Sequence, residues 1–153
     1  MMNQSGYKSS THNYVVPKVD LIDMNNNKVS LTDALGGEDP VILNFIFTTC
    51  TTICPVLSAT FSKVQSELGS EKKNVRMISI TIDPEQDTPE RLKEYASRYK
   101  AGADWQFLTG SIENIIATQK AFDAYRGDKM NHIPLTFLRS TDDGRWVRLE
   151  GFA

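Results

Sequence analysis

The sequence predicts an α/β fold, a three-layer sandwich in which helices cover both faces of a mainly parallel sheet. First, apolar strand-like runs alternate with helical patterns along the chain, which is the order of βαβ units with right-handed crossovers. Second, the run VILNFIF at 41–47 is almost continuously apolar, as expected of a strand buried on both faces. Third, the Asn-rich turn at 25–27 predicts an N-terminal β-hairpin that supplies an antiparallel edge.

The composition is typical of one soluble globular domain. The chain has 153 residues, of which 40% are hydrophobic and 24% are charged. With a net charge of −2 and no basic block beyond Lys72–Lys73, nucleic acid and an anionic membrane are not expected as principal partners. The polar segment 1–14 is predicted to be a flexible tail, and residues 15–153 are predicted to form the folded domain.

A short helical turn and three helices are predicted from periodicity and capping residues. A short helical turn precedes Gly36–Gly37, and a longer helix covers 55–69, where apolar residues recur at helical spacing. Thr88 followed by Pro89 begins the second of the three helices, and Ser111 caps the third. The residues of the last three helices that are predicted to face the core are Leu57, Phe61, Val64, Leu68, Leu92, Tyr95, Ala96, Tyr99, Ile112, Ile115, Ile116 and Phe122.

Four further strands complete the predicted sheet. VRMISITI at 75–82 and WQFL at 105–108 predict core strands between the helices. LTFLRS at 135–140 and RWVRLE at 145–150 flank the turn signal TDDG, which predicts a hairpin. In this architecture a helix is expected to cover the last strand. Because the sequence ends first, at Ala153, the C-terminal helix is expected to be truncated.

The two cysteines of the chain, Cys50 and Cys54, follow the strand 41–47 in the stretch FTTCTTICP. Because proline is well tolerated at the first helical position, Pro55 predicts that Cys54 is the N-cap of the helix 55–69. Both sulfurs are then expected at the carboxyl end of a central strand and near a helix N terminus, which favours the reactive, metal-binding thiolate. Two buried cysteines without chemistry, or a local disulfide that closes the loop, remain alternatives.

His132 lies shortly before the strand 135–140, with Pro134 between them. The loop that enters this strand is expected to face the carboxyl end of the strand 41–47, and a cis bond before Pro134 would bring His132 close to the cysteines. Two thiolates and one imidazole would form an open three-ligand site suited to Cu(I) and Cu(II), with zinc chemically possible. Met130 is expected to pack or to point to solvent, and His12 is predicted to be an ordinary residue of the tail.

The motifs C-x3-C-P, SITIDPEQDTPERLKEYASRY and WQFLTGS, with a late histidine before FL, resemble the Sco/SenC family. These are thioredoxin-like copper proteins of cytochrome c oxidase assembly, and the resemblance covers roughly residues 15 to 152. It implies a thioredoxin-like fold, a copper ion (Cu(I) or Cu(II)) bound by Cys50, Cys54 and His132, and delivery of copper or reducing equivalents to an oxidase subunit or another copper protein.

The resemblance also implies a location. Members of the family normally lie in the periplasm or on the outer face of the cytoplasmic membrane, held by an N-terminal anchor. The polar first residues of this chain resemble neither an anchor nor a signal peptide, so either a cytoplasmic protein or a processed form that has lost its leader is expected. A monomer is expected.

Two functions remain open at the level of sequence. In the first, the protein is a copper metallochaperone. In the second, it is a thiol–disulfide oxidoreductase in which Cys50 attacks the substrate disulfide and Cys54 resolves the mixed disulfide. Pro134, at the position where thioredoxin-like oxidoreductases have their cis-proline, would dock the substrate. The C-x3-C spacing favours metal, whereas Pro134 and Asn131, which replaces the aspartate usual in the family, favour thiol chemistry. A peroxidase is a more distant alternative.

One acidic run, formed by Asp83, Glu85 and Asp87, is predicted to have no metal-binding role. Its spacing lacks the glycine and the terminal glutamate of a calcium loop. We therefore expect a solvated loop whose negative charge interacts favourably with the N terminus of the following helix.

Overall fold

The computed structural model describes residues 7–49, 53–71, 75–125, 127, 134–140 and 145–151. Over these residues the strands are β1 (Tyr7–Asn13), β2 (Asp20–Asp23), β3 (Lys28–Ser30), β4 (Val41–Ile46), β5 (Arg76–Thr81), β6 (Trp105–Thr109), β7 (Leu135–Arg139) and β8 (Arg145–Gly151). The helices are α1 (Leu31–Leu35), α2 (Ile53–Glu71), α3 (Pro89–Arg98) and α4 (Ile112–Ala121). The strands join in one sheet in the order β1-β8-β7-β4-β5-β6-β2-β3.

The centre of the sheet is parallel and its flanks are antiparallel. β4, β5 and β6 run parallel to one another, whereas β7 pairs antiparallel with the free side of β4 and β2 pairs antiparallel with β6. The predicted hairpin is confirmed, because β2 pairs with β3 across the Asn-rich turn, where Asn26 has a φ of 66°. The β7–β8 hairpin is also confirmed, although its turn lies outside the described residues.

Each face of the sheet packs against its own pair of helices, because successive side chains of a strand point to opposite faces. One cluster joins Val41, Leu43 and Phe45 of β4 to residues of α1 and α4. The other joins Met77 of β5 and Trp105 of β6 to residues of α2 and α3. Helices therefore cover both faces, and the predicted α/β sandwich is confirmed.

A chain of buried polar side chains crosses the three central strands on the α2/α3 face. The indole Nε1 of Trp105 donates to Ser79 Oγ at 3.0 Å, and Ser79 Oγ donates to Asn44 Oδ1 at 2.6 Å. Asn44 and Ser79 are both fully buried. Since hydrogen bonds are directional, this chain orients the three strands relative to one another more specifically than apolar packing would.

The structure differs from the sequence-based prediction at the N terminus. Residues 7–13, which were expected to belong to a flexible tail, form β1 and pair antiparallel with β8 along its whole length, from Tyr7↔Gly151 to Asn13↔Arg145. The reason is that an edge strand offers unpaired backbone groups, and pairing with them requires no apolar side chains. Tyr14 then packs on Phe122 with ring centroids 5.0 Å apart.

Helix boundaries also differ from the predicted ones. α2 begins at Ile53 and continues past Gly69 to Glu71, so Cys54 lies in its first turn and is not the N-cap. Proline is compatible with this earlier start, because the first N–H groups of a helix have no intrahelical acceptor. Ile112, predicted to face the core, is 44% exposed at the first position of α4.

The predicted caps of α3 and α4 are confirmed. Thr88 Oγ1 accepts from the backbone N–H of Arg91 at 3.3 Å, and Ser111 Oγ accepts from that of Asn114 at 3.1 Å. Within the part of the chain that the structure describes, no helix is long and apolar enough to cross a membrane. A further helix over the last strand stays a prediction.

We predict that Ser79→Ala lowers the free energy of unfolding by about 1–3 kcal/mol, because it leaves buried Asn44 Oδ1 and Trp105 Nε1 without partners. Urea unfolding measures the change. The matched control is Ser66→Ala on the exposed surface of α2, which should change stability by less than about 0.5 kcal/mol. Equal effects of the two substitutions would contradict the prediction.

Candidate functional site

The three predicted ligands lie largely outside the described residues. Cys50 and His132 are not among them, and Cys54 is placed only through its backbone, in the first turn of α2. The predicted cis bond between Ile133 and Pro134 likewise involves an undescribed residue. The described residues on either side show where the two segments that carry Cys50 and His132 leave and enter the sheet.

Both segments attach to the same edge of the sheet. In the antiparallel pair of β4 and β7, Val41 lies opposite Arg139 and Asn44 lies opposite Thr136, so the carboxyl end of β4 is beside the start of β7. Pro134 directly precedes β7, and its carbonyl accepts a hydrogen bond from the Gly151 N–H at 2.9 Å. The chain therefore enters β7 at the edge where it leaves β4 towards Cys50, as the sequence predicted.

Asp87 binds the residues that follow β4. Its carboxylate is fully buried and uses both oxygens: Oδ2 accepts from the Thr48 N–H at 3.0 Å and from Thr81 Oγ1 at 2.7 Å, and Oδ1 accepts from Thr48 Oγ1 at 2.5 Å. Thr81 ends β5, and its Oγ1 also accepts from the Asp83 N–H at 2.9 Å. A single side chain thus connects the ends of β4 and β5 just before α3.

The prediction that the acidic run forms a solvated loop is wrong for Asp87. Glu85 is exposed and Asp83 is half-buried, but Asp87 is fully buried. A buried carboxylate requires hydrogen-bond donors, and these come from Thr48 and from Thr81, which lie 39 and 6 residues away in sequence. The signal in the sequence was the presence of a threonine at or just beyond the carboxyl ends of two neighbouring parallel strands.

The body of α2 is joined to α3 by a second buried hydrogen bond. Ser58 Oγ and the hydroxyl of Tyr95 are 2.7 Å apart, and both residues are buried. Ser58 follows Cys54 by one helical turn, so this bond restrains the part of α2 next to the cysteine. Tyr95 was predicted to be a core residue, which is confirmed, but its hydrogen bond was not anticipated.

The segment that contains His132 starts from a well-anchored point after α4. Phe122 is fully buried, and its carbonyl accepts from Arg148 Nη1 at 2.9 Å. Arg148 is itself buried, lies over the ring of Phe137 at 5.6 Å and forms an ion pair with Glu150 at 3.3 Å. The described residues before and after this segment are therefore both bound to β8.

The surface near the end of β4 offers a polar cleft and one exposed apolar side chain. The cleft has a volume of about 420 Å³ and lies between Thr48–Thr49 and charged residues of α3 that include Arg91 and Glu94. Val56, two residues after Cys54, is 47% exposed. Polar and apolar groups are therefore both exposed close in sequence to the two cysteines.

Across the described ranges, no three His, Cys, Asp or Glu side chains form a group that could hold a metal ion. The side chains of the predicted ligands Cys50, Cys54 and His132 are not among those that the structure describes, so that ligand set stays a prediction.

The chain matches the family model described as SCO1/SenC over residues 8–149. It belongs to the SCO1/SenC family. This SCO1/SenC chain is 41% identical to the SCO1 protein homolog of Bacillus subtilis over 105 residues, which are 68% of this chain and 53% of that protein. It therefore spans about half the length of that relative.

Solved structures of Sco proteins have the same fold. BsSco, a member of the Sco family of cytochrome c oxidase assembly proteins in which a disulfide switch was identified, matches with a TM-score of 0.78 and 32% identity, covering 94% of this chain and 86% of that one. ScoI of Bradyrhizobium japonicum, solved with copper bound, matches with a TM-score of 0.70 and 28% identity, covering 83% of each chain. The thioredoxin-like fold expected from the sequence is confirmed.

We predict that Tyr95→Phe lowers the free energy of unfolding of this SCO1/SenC chain by about 1–2 kcal/mol, because it leaves the buried Ser58 hydroxyl without its partner. The double variant Ser58→Ala/Tyr95→Phe should lose less than the sum of the two single variants, since it removes both partners. Tyr99→Phe is the control, as no hydrogen bond of its hydroxyl lies in the described part of the chain. Additive losses would contradict the coupling.

Proposed function

We propose that this chain is the copper-binding domain of a metallochaperone, which receives copper and transfers it to the copper centre of cytochrome c oxidase during assembly. Cys50, Cys54 and His132 are the proposed ligands. The pairing of β4 with β7 supports the proposal most directly, since the segments that carry Cys50 and His132 leave and enter the sheet at one edge. The similarity to a ScoI protein solved with copper supports the choice of metal.

The chemistry of the donors fits copper. Two thiolates favour the soft ion Cu(I), and an imidazole extends the site to Cu(II). Three protein ligands leave a coordination position open, at which a donor of the receiving protein can bind before the ligands of this chain are released. Transfer then needs no free copper ion in solution.

The receiving protein is proposed to be a copper-binding oxidase subunit or another copper protein. The similarity to BsSco, which belongs to a family of cytochrome c oxidase assembly proteins, supports this partner. The proposed location is the periplasm or the outer face of the cytoplasmic membrane, and the proposed state is a monomer. The net charge of −2 gives no support for a nucleic-acid partner.

We predict tight one-to-one binding of Cu(I) to the fully reduced protein, measured by anaerobic competition with a chromophoric chelator. Cys50→Ser/Cys54→Ser should abolish tight binding. His132→Ala should weaken binding by more than about tenfold, because even the loss of an outer partner of a metal ligand costs that much.

The chain provides its own control for the histidine. His12→Ala changes a residue of β1 whose Nε2 lies 2.8 Å from Ser10 Oγ, far along the sheet from β4, and should leave the copper affinity unchanged. A reduced wild-type protein that binds Cu(I) no more tightly than the double serine variant would overturn the metallochaperone proposal.

A thiol–disulfide reductase is the second candidate, and the position of Pro134 favours it. Pro134 directly precedes β7, at the edge where β4 ends, which is where a substrate-docking proline would be needed. In this reaction the Cys50 thiolate attacks a substrate disulfide and Cys54 resolves the mixed disulfide. The protein dithiol is oxidised to a disulfide, and the substrate disulfide is reduced to two thiols.

If this second function operates, we predict that the reduced protein reduces an oxidised copper-receiving protein stoichiometrically, as measured by thiol alkylation and mass spectrometry. Cys54→Ser should trap a mixed disulfide, whereas Cys50→Ser should neither react nor form one. Normal copper binding with no detectable transfer of reducing equivalents would exclude the reductase and leave the metallochaperone.

A further inference from the structure

We propose that Asp87 is a positioning residue that fixes the beginning of the Cys50-bearing segment through Thr48 and thereby keeps Cys50 and Cys54 in a defined relation. The inference rests on the proposed function only in requiring that the two cysteines act as a pair. It applies to copper binding and to thiol–disulfide chemistry alike.

The contacts of Thr48 restrain its orientation as well as its position. The carboxylate of Asp87 accepts from the Thr48 backbone N–H at 3.0 Å and from its side-chain hydroxyl at 2.5 Å, through different oxygens. Two hydrogen bonds from one residue to one planar group limit rotation about the backbone that leads onward. Cys50 follows two residues later.

Asp87 is in turn fixed to the rigid centre of the sheet. Thr81 is the last residue of β5, a strand paired on both sides, and its hydroxyl donates to Asp87 Oδ2 at 2.7 Å. The backbone N–H of Asp87 also donates to the Asp83 carbonyl at 2.9 Å. A continuous chain of hydrogen bonds therefore runs from β5 through Asp87 to the segment after β4.

The burial of Asp87 distinguishes it from an ordinary turn residue. The carboxylate is 0% exposed, and the three donors to it in the described part of the chain are the neutral groups named above. Burying a carboxylate is costly when no cation pairs with it, and none does so among the described residues. Ser79 lies two residues before Thr81 on the same face of β5 and connects β5 to its neighbouring strands through a neutral hydroxyl. A charged side chain is therefore not required to connect the strands on this face.

Two substitutions at Thr48 test the proposal, because both leave the buried carboxylate of Asp87 in place. Thr48→Val removes the hydroxyl donor to Asp87 at nearly constant shape. Thr48→Ser retains the hydroxyl. Ser79→Ala is the matched control, since it removes a buried hydroxyl from β5 that makes no contact with Asp87.

Three quantities are measured for each variant: Cu(I) affinity, the equilibrium between the protein dithiol and glutathione disulfide, and the free energy of unfolding. The glutathione reaction converts two protein thiols and one glutathione disulfide into one protein disulfide and two glutathione thiols. It therefore reports on the cysteine pair without copper. Both site readouts depend on the effective concentration of one cysteine at the other.

We expect Thr48→Val to weaken Cu(I) binding and to lower the equilibrium constant for disulfide formation, each about tenfold, in the range seen when outer partners of metal ligands are removed. Thr48→Ser should restore both quantities. Ser79→Ala should lower the free energy of unfolding and leave both site readouts unchanged.

Two results would overturn the inference: wild-type values of both site readouts in Thr48→Val, or equal losses in Thr48→Val and Ser79→Ala, which would indicate general destabilisation. If the wild-type protein fails to bind Cu(I) but Thr48→Val still lowers the disulfide equilibrium, the metallochaperone proposal fails while the positioning role of Asp87 stands.

Discussion

The antiparallel pairing of β7 with β4 is the constraint on which the candidate site depends. β4 lies at the centre of the sheet, with β5 on one side and β7 on the other. Because β5 runs parallel to β4 and β7 runs against it, the end of β5 and the start of β7 lie on either side of the end of β4. Residues from three distant parts of the sequence are thereby delivered to one edge.

Along β5, the side chains on the face that packs against α2 and α3 change from apolar to polar towards this edge. Along β5, Met77 belongs to the apolar cluster, Ser79 joins a buried hydrogen-bond chain, and Thr81 binds the Asp87 carboxylate. Apolar packing is non-directional, whereas hydrogen bonds fix both distance and angle. A gradient of this kind gives a stable core at one end of the strand and a precisely oriented backbone at the other.

Local patterns in the sequence predicted the elements whose stability is local. The apolar run at 41–47 matches β4, the caps Thr88 and Ser111 mark the starts of α3 and α4, and the Asn-rich turn forms the β2–β3 hairpin. The sequence-based prediction was wrong where the local structure depends on a residue or strand that is distant in the sequence. β1 has no apolar periodicity and forms because β8 offers its backbone. Asp87 resembles a solvated residue until Thr48 and Thr81 are placed beside it.

The sequence by itself determined the proposed donor set and its spacing, two cysteines in C-x3-C-P and a late histidine, and with them the resemblance to the SCO1/SenC family. The tertiary structure alone decided that β1 pairs with β8 and that the buried carboxylate of Asp87 binds Thr48, two residues before Cys50. The physical reason is the separation along the sequence over which each kind of interaction acts. Caps, turns and helical periodicity depend on residues a few positions apart, whereas strand pairing and the solvation of a buried charge depend on residues that only the complete fold brings together.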